Sequence, residues 1–344
     1  MSNYYPLLEK IELQITTACN MFCGFCFAHA GENSFSMSPE LASRVICETA
    51  KSKDPSANLK SLWLTGGEAL LKPNMCKSLV KQASALGLHT GIATNGLLLT
   101  REARALADAG LKSVRVSLDS IDTKRFDQLR GTKEGLPVVL KGIEAAVENG
   151  LKTGVRFTVT KDNASEIEDV LKLARERGVS SFEVKAVLPL GRGSANAMLD
   201  PVSLEKVMKK SVGFSTPQMP VSVLCSYLPP CKGYEVGQGY VPCICATKAA
   251  YVAVDGSILP CSYFPQKSTV NVQKNTLIEA WKSNAFAQAR NARPDDCQPC
   301  VMWENCRNGC PALLSHYAGY KESCFKQAET LRQKGYYDPV CSCG

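Results

Sequence analysis

Residues 10–26 read KIELQITTACNMFCGFC. The first eight, Lys10 to Thr17, form a short apolar run of strand character, and Cys19, Cys23 and Cys26 follow it directly with the spacing C-x3-C-x2-C. The stretch reads as a strand that delivers a cysteine loop at its C-terminal end. Three close thiolates cannot fill a four-iron cluster, which leaves one iron open for a ligand that is not protein.

Working outward, further strand-like runs appear at 59–65, 89–94, 113–118, 154–160 and 181–188. Helical patterns lie between them. Ser38-Pro39-Glu40 opens one with a capping residue and a proline at the first helical position; others fall near 74–86, 101–109, 137–149 and 165–177. Gly87, Gly110, Gly150 and Gly178 each follow a helical pattern, as helix-ending glycines do. Strands alternating with helices predict parallel βαβ units and the α/β class. Six units are too few for an eight-unit barrel, so a partial (β/α)6 TIM-type barrel, open on one side, is expected over 1–190. The cysteine loop then sits on the face where barrel enzymes build active sites.

At 344 residues the chain suits one large domain and a small one. It carries 17 cysteines, an odd number, so complete disulfide pairing is impossible. The N-terminus MSNYYPLLEK lacks the basic and apolar segments of a signal peptide, and no apolar run is long enough to span a membrane. A cytoplasmic, reducing location is expected, where cysteine clusters point to metal. The net charge is +8, without a Lys/Arg block interleaved with aromatics, which argues against nucleic acid as a partner.

With Phe25 placed before the last cysteine, the run resembles the signature of radical S-adenosylmethionine (SAM) enzymes. The resemblance implies that Cys19, Cys23 and Cys26 hold a [4Fe-4S] cluster whose open iron binds the amino and carboxylate groups of SAM. Thr65-Gly66-Gly67-Glu68, at the end of the second strand, is similar to the family's GGE motif, which implies that Gly66, Gly67 and Glu68 hold the methionyl amino group; alone the triplet is an ordinary turn. Ser117 and Asp119 end the fourth strand and, two residues apart, share a face on which both reach one ribose edge. Capping the next helix would serve Asp119 equally. Asn95, after the third strand, resembles a family turn, with a purely structural turn as the alternative. Arg130 is a partner for the SAM carboxylate or a surface arginine. Pro189 to Arg192 resembles the P-x-G-R turn that follows the sixth strand in family members.

Residues 191–242 are rich in glycine, proline and serine and are expected to link the barrel to a small cysteine-rich domain, 243–344, and to line a substrate channel. There Cys245 and Cys261 flank Gly256, and Cys297, Cys300, Cys306 and Cys310 follow as C-x2-C-x5-C-x3-C, then Cys324. This pattern resembles the SPASM domain, an Fe–S domain with two auxiliary four-iron clusters. The resemblance implies three [4Fe-4S] clusters in all. It assigns Cys297, Cys300, Cys306 and Cys324 to a distal auxiliary cluster and Cys245, Cys261 and Cys310 to a proximal one. Cys243, Cys231 and Cys225 compete for the fourth proximal position, with Cys243 favoured. Structural zinc is the alternative for these cysteines. Cys47 and Cys76 read as buried core thiols. Cys341 and Cys343 read as a terminal tail.

The activity so implied is reductive cleavage of SAM, hydrogen abstraction from a substrate C–H bond, and loss of an electron to an auxiliary cluster. The products are dehydrogenation or a crosslink, or epimerisation if a thiol such as Cys225 or Cys231 returns the hydrogen. Members with SPASM domains mostly modify peptides. A ribosomally made peptide is the expected substrate, an amino sugar or nucleoside the alternative, and a non-catalytic Fe–S or zinc protein a third. An electron donor such as flavodoxin or ferredoxin is implied. The cysteine motif begins at residue 19, without the leader-binding domain of many peptide modifiers, so a peptide substrate is expected to need either a separate leader-binding protein or direct recognition. Sulfatase maturases carry an Asp after the cysteine matching Cys261; here Ser262 stands there, which disfavours that activity.

Overall fold

The computed structural model of the chain describes residues 5–224, 239, 241, 243–264, 270–291, 310 and 312. Six strands, β1 (Leu8–Thr16), β2 (Ala57–Gly66), β3 (His89–Thr94), β4 (Ser113–Ser117), β5 (Lys152–Val159) and β6 (Ser181–Ala186), pair in parallel in chain order. They are the six expected runs, with no end shifted by more than two residues. Three more strands extend the sheet: β7 (Val221–Leu224) parallel to β6, β8 (Ala249–Val252) parallel to β1, and β9 (Ile258–Leu259) antiparallel to β8. The sheet order is β7-β6-β5-β4-β3-β2-β1-β8-β9. Its two ends, β7 and β9, do not pair, so the TIM-type barrel is partly open. The stretch 191–242 thus adds α7 (Pro201–Val212) and β7 to the barrel rather than serving only as a link.

The expected crossover helices are α1 (Pro39–Ala50), α2 (Pro73–Ala85), α3 (Leu99–Asp108), α5 (Gly135–Glu148) and α6 (Ile167–Glu176). Ser38 caps α1, its hydroxyl accepting the Leu41 N–H at 3.1 Å. The glycines after α2, α3, α5 and α6 have φ of 71–100°, the left-handed region that lets the chain turn back into a strand. A sixth helix, α4 (Thr123–Arg130), is not legible in the sequence, because TKRFDQLR buries only Phe126, Leu129 and Arg130.

Each strand has two unlike faces. Leu8, Ile11, Leu13 and Ile15 of β1, with Leu62, Leu64, Val155 and Phe157, are fully buried on the face that meets the helices. The alternate residues, Lys10, Glu12 and Gln14 of β1, Trp63, Arg115, Arg156, Glu183 and Lys185, look into the barrel. Parallel sheets usually bury apolar residues on both faces. A charged inner face marks the barrel interior as a place for a ligand. Among the described residues, no helix is long and apolar enough to cross a membrane.

Candidate active site

The cysteine loop leaves β1 at the C-terminal edge of the sheet and is tied down from three directions. Beside β2, the Gly67 and Glu68 N–H groups donate to the Thr16 and Ala18 carbonyls, both at 2.8 Å. A Cβ on Gly67 would run into the carbonyl oxygens of Ala18 and Thr17, so only glycine allows this approach. At the C-terminus of α4, the Phe22 and Gly24 N–H groups donate to the Arg130 and Leu129 carbonyls at 3.0 and 3.1 Å, which satisfies helix-end acceptors. After β6, Arg192 donates from Nε to the Cys23 carbonyl (2.9 Å), from Nη2 to the Ala30 carbonyl (3.0 Å) and from Nη1 to Glu32 (2.8 Å). Its guanidinium also lies 3.9 Å from the centre of the Phe22 ring.

This anchoring turns Cys19, Cys23 and Cys26 towards a cavity of about 190 Å³ that is also lined by Gly66, Gly67, Asn95, Ser117 and Arg130. Donors point at the sulfurs: Asn95 Nδ2 lies 3.9 Å from Cys19 Sγ and Arg130 Nη1 lies 3.7 Å from Cys23 Sγ. Burial pushes the Cys19 thiol up to about 11, and burial raises Cys23 against the pull of Arg130. A cationic metal core bound here would take the place of the thiol protons. Three thiols with two donors beside an open cavity fit a four-iron cluster with one free position.

Glu68 and Asp119 stand behind this wall instead of on it. Glu68 folds back onto its own chain and accepts from Leu70 N (2.9 Å), Thr94 Oγ1 (2.9 Å) and Asn95 N (2.7 Å). It ties the β2 end to the β3 end, and burial raises its pKa. Asp119 lies beyond the last residue of β4, so the shared strand face with Ser117 does not extend to it. Its fully buried carboxylate accepts from Thr158 N at 2.6 Å and forms an ion pair with Arg130. Burial works against the Arg130 charge, but Asp119 and the Cys23 sulfur more than offset it. Arg130 is therefore a buried, held cation and not a surface arginine. Asn95 forms the structural turn and also reaches the cysteine loop. Its Oδ1 accepts from Leu97 N (3.1 Å) within the turn, and its Nδ2 donates to Asn20 on the cysteine loop (2.7 Å).

A second cavity, of about 310 Å³, is lined by Cys243, Cys245, Cys261 and Cys310 together with the charged inner face of the barrel. Hydrogen bonds with Cys243 and Cys261, and then burial, push the Cys245 thiol well above its ordinary value. The two cavities share three wall residues, Arg156, Lys185 and Tyr263. Sequence reasoning missed these three. The available signal was a charge on alternate positions of otherwise apolar strands, Arg156 in GVRFTV and Lys185 in SFEVKA. Burial pushes Lys185 down to about 8. Cys225, Cys231, Cys297, Cys300, Cys306, Cys324, Cys341 and Cys343 lie outside the described residues. Cys76 is buried, donates to the Ala69 carbonyl and is pushed up to about 12 by burial. Cys47 is half-buried, not buried, and accepts from Gln82.

Residues 13–193 match the Radical SAM superfamily, and residues 243–310 match SPASM, an iron–sulfur cluster-binding domain. The chain is 24% identical over 336 residues to an AdoMet-dependent heme synthase of Nitratidesulfovibrio vulgaris, covering 91% of this chain and 90% of that protein. It is 30% identical over 210 residues to the sporulation killing factor maturation protein SkfB of Bacillus subtilis, about half (49%) of that protein's length. Its fold is similar to that of Streptococcus suis SuiB bound to the precursor peptide SuiA (TM-score 0.72, 18% identity, 98% of this chain and 76% of that chain).

Proposed function

Because this chain belongs to the radical SAM superfamily and carries a matching iron–sulfur cluster-binding segment, we propose that it removes a hydrogen atom from a substrate C–H bond and passes the substrate's electron to an auxiliary cluster. When bound, a reduced four-iron cluster with SAM supplies a 5′-deoxyadenosyl radical. The chain's part is to bind, orient and exclude water. Cys19, Cys23 and Cys26 would hold the SAM cluster, with Asn95 and Arg130 donating towards their sulfurs. Gly66 and Gly67 offer backbone to SAM, and Ser117 and Arg130 offer donors to its ribose and carboxylate. Cys243, Cys245, Cys261 and Cys310, with Cys297, Cys300, Cys306 and Cys324, would hold two auxiliary clusters, making three. Cys225 and Cys231 are the thiols to test for hydrogen return.

The observation that carries this reading is the wall of Arg156, Lys185 and Tyr263 shared by the two cavities. A substrate held there touches both the hydrogen-abstraction side and the electron-acceptor side. Oxidative outcomes follow once the oxidised substrate also releases a proton: dehydrogenation or a new crosslink. We take the substrate to be a ribosomally made peptide, a reading supported by the likeness to SkfB. The heme synthase that aligns with nearly the whole chain supports a second reading, a small-molecule substrate in place of a peptide. An electron donor of the flavodoxin or ferredoxin kind is needed in either case.

The test is anaerobic incubation of reconstituted protein with SAM and dithionite. 5′-Deoxyadenosine formed by the wild type and absent from the Cys19→Ala/Cys23→Ala/Cys26→Ala variant supports the reading. No product from wild type that has bound iron would overturn it. Products made with a precursor peptide or with a small molecule then separate the two substrates.

A further inference from the structure

Cysteines apart, the charged side chains inside the barrel do not balance. Four cations, Lys10, Arg115, Arg156 and Lys185, line the second cavity with two carboxylates, Glu12 and Glu183. Lys10 is matched with Glu12 at 2.6 Å. Arg115 and Arg156 both use Glu183, each at 2.7 Å. Lys185 has neither an ion pair nor a hydrogen bond among the described residues; its ammonium stands 4.0 Å over the centre of the Tyr263 ring. Tyr263 packs edge-on against Phe27, ring centres 4.6 Å apart, one residue beyond Cys26. The surplus cation thus stands in the wall common to the two cavities, with aromatic surface beside it.

We propose that this shared wall is a receptor for a substrate carboxylate: Lys185 takes the carboxylate, Arg156 beside it adds positive potential, and Tyr263 covers the substrate's apolar body. A charge shielded from water on one side is costly to leave unmatched, and an ammonium facing a cavity regains that cost by pairing with an anion. The cysteine side of the second cavity is the part assigned above to an auxiliary cluster, so the carboxylate falls to the side lined by Arg156, Lys185 and Tyr263, which also faces the first cavity. The substrate is accordingly one that presents a single carboxylate next to an apolar group, supplied either by an acidic residue of a peptide or by a small carboxylic acid. The proposal relies on the radical SAM reading only to say which side of the carboxylate reacts. The competing role for Lys185 is counter-charge to thiolates at Cys261 and Cys310.

The test uses anaerobically reconstituted holoenzyme with SAM bound and isothermal titration of matched probes. The small-acid arm compares 2-naphthoate with 2-naphthamide. The peptide arm compares the blocked hexapeptide Ac-Ala-Ala-Tyr-Glu-Ala-Ala-NH2 with its Gln counterpart. Wild type should prefer the carboxylate by about tenfold, some 1.4 kcal/mol, in one arm, and that arm identifies the source. Lys185→Met should abolish the preference and Lys185→Arg keep it, with iron content unchanged in both. The absence of a carboxylate preference in wild type overturns the proposal. So does a preference that survives Lys185→Met, including the case in which that variant instead loses auxiliary iron or shifts its reduction potential. Because iron content and SAM cleavage are read on the same samples, failure of the receptor is distinct from failure of the radical SAM reading.

Discussion

Arg130 reaches from the last turn of α4 to within 3.7 Å of the Cys23 sulfur, and its other edge is held in an ion pair by the fully buried Asp119. The pair acts as a strut between the cysteine loop and the end of β4. A buried cation with its carboxylate partner removed, or the reverse, leaves an uncompensated charge.

Removing the guanidinium should therefore do more harm than removing the pair. Arg130→Met is expected to destabilise the protein by about 3–5 kcal/mol, and the double variant Asp119→Asn/Arg130→Met should recover much of that. Neither should bind SAM as wild type does. Denaturant unfolding and SAM titration check the two halves. A double variant no more stable than the single one contradicts the strut.

Arg192 joins three parts of the cysteine loop through Cys23, Ala30 and Glu32. Lysine keeps the charge but cannot make the three-way fork. Arg192→Lys should lose about tenfold in SAM affinity or more, through a loosened loop, at nearly wild-type iron in the C-terminal clusters. The loss is read by titrating SAM and recording the EPR spectrum of the reduced SAM cluster. An unchanged spectrum and affinity would show that the turn after β6 only closes the barrel.

Gly67→Ala places a methyl group against the carbonyls of Thr17 and Ala18. Backbone must shift to admit it, at a cost of about 1–3 kcal/mol. The shift falls where the cysteine loop meets the end of β2, so SAM-cluster iron should drop with the thermal midpoint. Gly87→Ala is a control, because a Cβ there meets nothing within 4 Å and only the strain of φ +76° remains.

Glu12 gives the barrel interior a pH dependence. Burial alone would raise its carboxyl, but Lys10, with Arg115 and Arg156 behind, carries it down to about 2. A carboxylate depressed by folding adds stability that is present above its unfolded value and lost as pH falls towards the folded one. Unfolding midpoints should fall between about pH 4.5 and 2, and Glu12→Gln should flatten that part of the curve. An identical slope in the variant would remove Glu12 as its source.

Much of this architecture is legible in the sequence because it is local. The strand runs, the Ser38-Pro39 helix start and the helix-ending glycines are set by neighbours in the chain. The cysteine spacing fixes a loop after the first strand for the same reason. What was not legible depends on contacts across the fold. Glu68 turns away from the cavity because Thr94 and Asn95, from another strand end, offer it better donors. Asp119 is paired by Arg130 only because α4 forms, and α4 has too few apolar residues to show a helical period. The shared wall of Arg156, Lys185 and Tyr263 joins β5, β6 and the loop after β9, which no spacing rule connects.

The central claim is that this chain unites a SAM cluster with auxiliary clusters across that wall. It is tested most directly by iron and acid-labile sulfide per chain after anaerobic reconstitution, in wild type and in the Cys19→Ala/Cys23→Ala/Cys26→Ala variant. Wild type should carry about twelve irons and the variant about eight, four for each cluster. About four irons in wild type, or zinc in place of iron in the variant, would contradict it and leave the C-terminal cysteines a structural cap.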